Sequence, residues 1–135
     1  MISIVIAVAA IAADVGPRPS DTRFYELASA KVSSFLADPE AARFKWDMAV
    51  SAQSEKALAG PRPRGWWTCG LVNAKNRYGA YVGYRRFIAI VRDDRVTYTS
   101  TSDGYDSFAD RVCDIGLKAG MLEALPEPVV PGGGN

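Results

Sequence analysis

Residues 69–84 constrain the fold of this chain more than any other segment, because they join two strand-like patterns through a tight turn. Residues 65–74 alternate their side chains between two faces. Residues 80–91 form a longer pattern whose second half is apolar on both faces, which favours a central position in a sheet. Between them, Asn76 and Gly79 can adopt the positive φ angles that tight turns require. The pattern predicts a β-hairpin within an antiparallel sheet.

Helices and further strands are predicted on both sides of this hairpin. Residues 44–50 and 95–100 alternate apolar and polar side chains, as half-buried strands do. Apolar residues at helical spacing follow Ser20-Asp21-Thr22, a run of good N-cap residues, and a second helical face follows Asp106 or Ser107, one of which is expected to cap it. The predicted fold class is α+β: a four-stranded, mostly antiparallel meander sheet with an N-terminal and a C-terminal helix packed on one face.

Residues 20–120 are predicted to form a single α+β domain, flanked by segments of different composition. Residues 1–13 are an apolar run that ends in small residues and predicts a signal peptide, although it lacks a basic start; a buried N-terminal strand is the alternative. The run is shorter than the roughly 20 residues that cross a bilayer as a helix, so no stable membrane insertion of the mature chain is expected. Residues 121–135 are rich in proline and glycine and predict a disordered tail.

Cys69 and Cys113 are the two cysteines of the chain. In an exported protein they would enter an oxidising compartment, where a pair of thiols normally forms a disulfide. Cys113 falls on the apolar face of the second predicted helix and would meet Cys69 if that helix packs across the sheet. Two buried, reduced thiols in the cytosol are the alternative. Together with the leader, the pair predicts a periplasmic or secreted protein with a Cys69–Cys113 disulfide.

The composition argues against catalysis. The chain contains no histidine, which removes the commonest general base near neutral pH and the commonest metal ligand. Its net charge is +1, so there is no global field to attract nucleic acid or an anionic membrane. The carboxylates match turns and helix starts, and no serine stands in a nucleophile motif. We therefore expect no catalytic residue, no metal site, no cofactor and no nucleic-acid partner.

Two motifs resemble those of a known family. Residues 36–44 read Leu-Ala-Asp-Pro-Glu-Ala-Ala-Arg-Phe, and residues 69–83 contain Cys-Gly-Leu-Val-Asn-Ala-Lys-Asn and then Gly-Ala-Tyr-Val-Gly. They are similar to the pattern L-x-D-P followed by C-G-x-V-N-A-K-N-x-x-G-x-Y-x-G in a family of small uncharacterised exported proteins and lipoproteins of proteobacteria and phages. The resemblance implies export, small size and a shared fold, but no chemistry. The chain departs from the family at Ala41, at Ala80 and in lacking the lipid-attachment cysteine of many members, so the resemblance does not extend to membrane anchoring.

The candidate binding residues lie on the hairpin, where amide, ammonium, phenol and guanidinium groups are close in sequence. They are Asn73, Lys75, Asn76, Tyr78, Tyr81 and Arg85. The alternative for the asparagines is that they bond the turn backbone, and for the rings that they pack across strands beneath arginine stems. Strict alternation places Tyr81 and Arg85 on one face of the strand. It places Tyr84 and Arg86 on the other, so no single surface uses all of these side chains.

These observations predict a non-enzymatic exported domain that binds an envelope or periplasmic protein through the hairpin turn and the open face or edge of the sheet. There are two alternatives. One is a small-molecule or glycan-binding module that uses tyrosine and tryptophan rings as platforms. The other is an inhibitor or immunity protein linked to a phage or a toxin.

Overall fold

One antiparallel sheet organises the chain in the computed structural model, which describes residues 15–53 and 64–131. Within these ranges the helices are α1 (Asp21–Ser33) and α2 (Phe108–Lys118). The strands are β1 (Arg43–Met48), β2 (Ser51–Gln53), β3 (Gly65–Lys75), β4 (Tyr81–Arg92), β5 (Arg95–Thr101) and β6 (Ala124–Val129). Their order across the sheet is β5-β4-β3-β1-β6, and β2 pairs with β3. The α+β class with an antiparallel sheet is confirmed.

The four predicted strands are present as β1, β3, β4 and β5, and they pair in the order of a meander. The predicted total of four strands is wrong, because the described residues contain two further short strands. β2 continues along β3 in the same antiparallel sense as β1, after a break in the pairing. β6 pairs with the other edge of β1, with Val129 opposite Trp46.

β6 lies within residues 121–135, so the prediction of a disordered tail is wrong for residues 124–129. The proline content that suggested disorder is compatible with an edge strand, where the missing N–H group can face away from the neighbouring strand. The predicted signal peptide, residues 1–13, and residues 132–135 lie outside the described residues.

The two helices lie on opposite faces of the sheet, so the prediction that both pack on one face is wrong. Successive side chains of a strand point to opposite faces. Phe87, Ala89 and Val91 of β4 belong to the hydrophobic core that contains the residues of α1. Ile88 and Ile90 belong to the core that contains the residues of α2. A strand segment that is apolar on both faces needs cover on both, and each helix covers one of them.

The core beneath α1 is built on aromatic rings around the buried Trp46. The Trp46 ring stacks on Tyr25 at 4.5 Å between centroids and meets Phe24 and Phe87 edge-on at 5.8 and 5.1 Å. Gly70 makes this packing possible, because a Cβ atom there would lie 2.6 Å from the Phe87 ring. Any larger residue at that position would therefore displace the ring cluster.

The core beneath α2 contains the predicted disulfide, which is confirmed. Cys69 of β3 and Cys113 of α2 are bonded, and their Cα atoms are 6.1 Å apart. Trp67 is buried beside them in the same core. Gly116 lets the helix approach the segment that follows it, because a Cβ atom there would lie 2.9 Å from Leu122 Cδ1. The bridge thus ties α2 to the middle of the sheet.

Side-chain oxygens hold the backbone near the start of each helix. The Ser20 hydroxyl accepts the N–H of Arg23 at 3.1 Å, so the first of the three predicted capping residues is the cap of the first helix. Ahead of α2, the Asp103 carboxylate accepts the N–H groups of Asp106 and Tyr105 at 2.6 and 2.7 Å. These hydrogen bonds favour the charged carboxylate and hold the pKa of Asp103 below its ordinary value. Local hydrogen bonds therefore define where each helix begins in the chain.

The hydroxyl group of a β3 threonine forms hydrogen bonds with the backbone at the break between β1 and β2. Thr68 is fully buried, and its Oγ1 lies 3.1 Å from the carbonyl oxygen of Met48 and 3.0 Å from that of Ala49. The single hydroxyl hydrogen is shared between these two acceptors. Thr68 thereby stabilises the change of direction that divides the strand.

Removal of the disulfide by Cys69→Ala with Cys113→Ala is expected to lower the free energy of unfolding by about 2–4 kcal/mol, because the bridge closes a long loop in the unfolded chain. Urea unfolding of the oxidised protein, followed by tryptophan fluorescence, measures the difference. The reduced wild type is the matched control and should unfold close to the variant. An unfolding midpoint that does not change on addition of reductant would contradict a stabilising bridge.

Thr68→Val keeps the shape of the side chain and removes its hydroxyl, so the carbonyl groups of Met48 and Ala49, one buried and one partly buried, lose this donor. We expect the free energy of unfolding to fall by about 1–3 kcal/mol. Thr68→Ser retains the hydroxyl and should lose less stability. Chemical denaturation of the two variants makes the comparison, and an equal loss in both would show that packing of the methyl group, rather than the hydrogen bonds, is what matters.

Candidate functional site

The turn between β3 and β4 is organised by Asn76. Its side-chain oxygen accepts the N–H of Tyr78 at 2.9 Å and that of Ala80 at 3.1 Å. Its backbone N–H donates to the carbonyl of Ala80 at 2.8 Å, and Gly79 adopts a φ of +82°. The oxygen of Asn76 is therefore occupied by the turn, in agreement with the structural alternative for this residue.

A β-bulge lies just beyond the turn and is held by Asn73. Asn73 is opposite Tyr84, whereas Lys75 is opposite Tyr81, so β4 has one more residue than β3 in this interval. Gly83 lies in the bulge with a φ of +96°, a conformation that favours glycine. Its N–H donates to the side-chain oxygen of Asn73 at 3.0 Å. Both asparagines of the motif thus bind backbone N–H groups of the hairpin.

The bulge changes which side chains share a face. Asn73 and Lys75 are two residues apart on β3 and point the same way, so their opposite neighbours Tyr84 and Tyr81 also point the same way. The prediction that Tyr81 shares a face with Arg85 is therefore wrong. Arg85 is opposite Val72, a core residue on the side of α1. Strict alternation fails here because the extra residue moves the side chains of β4 between the bulge and the hairpin turn to the other face of the sheet.

The rings of Tyr81 and Tyr84 lie against cationic side chains, two at Tyr81 and one at Tyr84. The guanidinium carbon of Arg43 lies 4.3 Å from the centroid of the Tyr81 ring, and Nζ of Lys75 lies 5.3 Å from the same centroid. Nζ of Lys45 lies 4.3 Å from the centroid of the Tyr84 ring. These distances are typical of cation–π contacts. We call the surface formed by Arg43, Lys45, Lys75, Tyr81 and Tyr84 the cationic face.

The cationic face carries an excess of positive charge. Among the residues that the structure describes, Arg43, Lys45 and Lys75 form no ion pair. A fourth cation beside them, Arg86, is paired: its Nη1 and Nη2 atoms lie 2.7 and 3.0 Å from the carboxylate oxygens of Asp47. The chain as a whole has a net charge of only +1, so this charge is a local feature.

The Tyr81 ring is anchored at one end of the cationic face. The Tyr81 hydroxyl donates to the backbone carbonyl of Ala41 at 2.8 Å, which anchors the ring against the short 3-10 turn Pro39–Ala41 ahead of β1. At the other end of the exposed region, Tyr78 lies in the hairpin turn with 86% of its surface exposed. Of the predicted binding residues, Lys75 and Tyr81 therefore lie on the cationic face, Tyr78 extends beyond it, and Arg85 lies on the opposite side of the sheet.

Arg43 and Lys45 are missing from the set of residues predicted from sequence. The signal for them lies in β1, where Phe44 and Trp46 alternate with Arg43, Lys45 and Asp47. Phe44 and Trp46 pack in the core beneath α1, so the charged residues between them must face the other side. What the alternation could not indicate is that the tyrosine rings of β4 would lie beside these cations.

The tryptophan side chains are not available as platforms for a ligand. Trp46 and Trp67 are buried in the two cores. Trp66 is half-buried; its indole N–H donates to the carbonyl of Gly16 at 3.0 Å, and the guanidinium of Arg18 lies 5.7 Å from the centroid of its ring. The segment ahead of α1 thus covers part of Trp66.

A separate surface cavity of about 490 Å³ lies between α1 and β6. Its lining includes Tyr25 and Glu26 of α1, Val129 of β6 and the following Pro131. Burial raises the pKa of Tyr25 above its ordinary value, so the phenol is neutral at physiological pH. The prediction of a disordered tail excluded this cavity, because β6 forms one of its walls.

The described residues contain no group of three or more histidine, cysteine or acidic residues that could hold a metal ion. None of the helices in the described ranges is both long enough and apolar enough to span a membrane. Comparison of the chain with protein-family models, with curated proteins and with solved structures gave no match in any of the three.

Replacement of both hairpin asparagines, Asn73→Ala with Asn76→Ala, removes the acceptors of three backbone N–H groups. We expect the free energy of unfolding to fall by about 1–3 kcal/mol, because each of these hydrogen bonds contributes modestly at an exposed site. Urea denaturation measures the change.

The matched control is Asn73→Asp with Asn76→Asp, since aspartate keeps the accepting oxygen in the same place. This control should retain most of the stability that the alanine variant loses. If the alanine variant is as stable as the wild type, the asparagines are not structural, and the hairpin turn becomes a candidate contact surface in its own right.

Proposed function

We propose that the protein is a non-enzymatic exported domain that binds a periplasmic or envelope protein through the cationic face and the adjoining hairpin turn. The observation that carries the proposal is the set of three cations without ion pairs that two tyrosine rings hold on one face of the sheet. The Cys69–Cys113 disulfide supports export, because such bridges persist in oxidising compartments.

Fixed cations and rings are suited to protein recognition. Long side chains lose rotamer entropy when a complex forms, and less is lost if a ring already restricts them. Tyrosine and arginine are enriched in the centre of protein interfaces. The face lies on β1, β3 and β4, the inner strands of a bridged sheet, so its side chains are presented by a rigid scaffold.

Binding of a glycan or small molecule on this face receives less support. Sugars stack on open aromatic rings, and here cations already lie over Tyr81 and Tyr84. The cavity between α1 and β6 is the feature that a small-molecule module would use instead. An inhibitor or immunity protein linked to a phage or toxin remains a special case of the protein-binding proposal.

The proposal is tested by capture from an envelope extract with the oxidised protein as bait. We expect the wild type to recover the same protein reproducibly, and Lys45→Ala with Lys75→Ala to recover at least about tenfold less, since the cationic face is lost. Quantitative mass spectrometry of the eluates measures the difference.

The matched control removes two cations elsewhere, by Lys31→Ala with Arg111→Ala on the exposed surfaces of α1 and α2. This control should capture the partner as the wild type does. Equal recovery with all three baits would overturn the assignment of the face, and recovery of no specific protein by the wild type would overturn the proposed function itself.

A further inference from the structure

We infer that the cationic face recognises an acidic polypeptide segment in extended conformation; this inference rests on the proposed function and specifies the chemistry of its partner. A partner that carries carboxylates would complement Arg43, Lys45 and Lys75, which form no ion pair among the described residues. An uncharged or basic partner would cover these cations without compensating for their lost hydration. Charge complementarity therefore requires several anionic groups in the occupant.

The spacing of the cations fits an extended chain. Arg43 and Lys45 lie two residues apart on β1, opposite Asn73 and Leu71 of β3, so they leave the same face about 6.4–6.8 Å apart along the strand. An extended polypeptide repeats its side chains on one side at the same interval. Carboxylates on every second residue of the partner can therefore meet Arg43 and Lys45 in turn. Lys75 lies beyond Asn73 on β3 and extends the line of positive charge towards the hairpin turn.

The chain already shows how this surface binds a carboxylate. Asp47 follows Lys45 by two residues on β1. The Nη1 and Nη2 atoms of Arg86 donate to its two carboxylate oxygens at 2.7 and 3.0 Å. The two side chains are 18% and 25% exposed, so the pair forms at the border of the open surface. Two parallel N–H···O bonds give such a contact both strength and direction. Arg43 has the same group and no carboxylate partner, so it can make the equivalent contact with another chain.

The rings argue for carboxylates and against nucleic acid. Proteins that bind single-stranded nucleic acid stack bases on open aromatic faces and contact many phosphates. Here Arg43 and Lys45 lie 4.3 Å from the centroids of Tyr81 and Tyr84. The rings thus orient cations instead of presenting flat surfaces to a base.

The inference is tested with two fluorescently labelled synthetic peptides that contain the same number of glutamates in a serine background. One carries glutamate at every second residue and the other at every third, which in an extended chain places successive carboxylates on opposite sides. Anisotropy titrations use the oxidised protein at low salt. We expect the first peptide to bind at least about fivefold tighter than the second, and its binding to weaken as salt is raised.

The substitutions Lys45→Glu with Lys75→Glu should weaken binding of the first peptide at least about tenfold, whereas Lys31→Glu with Arg111→Glu, which changes the net charge equally, should leave it within about twofold. Circular dichroism checks that both variants fold. If the first pair does not fold, Lys45→Gln with Lys75→Gln removes the charges without introducing repulsion and takes its place.

Several results would overturn the inference. One is equal binding of the two peptides, and another is tighter binding of a heparin fragment or a DNA oligonucleotide that the same pair of substitutions abolishes. A third is failure of both peptides to bind while the wild type still captures its envelope partner through the face; this result would exclude an acidic segment and leave the proposed function intact.

Discussion

The second half of β4 imposes the requirement that the rest of the fold satisfies, because its side chains are apolar on both faces and need cover on both. α1 covers Phe87 and Val91, and α2 covers Ile88 and Ile90. A ring cluster forms on one side of the sheet and a disulfide on the other. The core beneath α2 takes no residue from the first half of β4, residues 81–86. The cationic face occupies the part of the sheet that this core leaves uncovered.

A single extra residue connects the hairpin motif to the candidate site. Gly83 adopts a positive φ, and Asn73 accepts its N–H group, so the bulge is stabilised by one side chain of the opposite strand. Because the bulge inserts one extra residue between them, Tyr81 and Tyr84 face the same way although they are three residues apart. The side-chain oxygens of the asparagines accept backbone N–H groups of the hairpin, and the position of the rings depends on them. The asparagines of the motif thus have a structural role, and through the bulge they place the tyrosine rings of the candidate site on one face.

Local patterns in the sequence were sufficient to predict much of the fold. Alternation located β1, β3, β4 and β5, a capping residue located the start of α1, and an apolar helical face placed Cys113 towards Cys69. The predictions are wrong where contacts between residues far apart in the sequence determine the structure. β6 is a strand only because the edge of β1 accepts it, and its composition alone favours disorder. The face on which α2 packs is the face of β4 that α1 does not cover, and the pattern of α2 itself does not indicate it.

The candidate site was predicted only in part for the same reason. Lys75 and Tyr81 lie on the predicted hairpin, but their neighbours Arg43 and Lys45 come from a strand that is far away in sequence. Which side chains of β4 share a face depends on the bulge. Gly83, a glycine within a strand pattern, is the sequence signal for a bulge, but the pairing with β3 that places the extra residue there cannot be derived from β4 alone.

The prolines of β6 have a consequence for encounters between molecules of this protein. Pro126 and Pro128 are two residues apart, so the N–H groups that they lack would both have pointed to the same side of the strand. That side of the sheet offers too few donors to template another strand. Edge-to-edge association of two copies of this sheet is thereby discouraged at β6, even at high protein concentration.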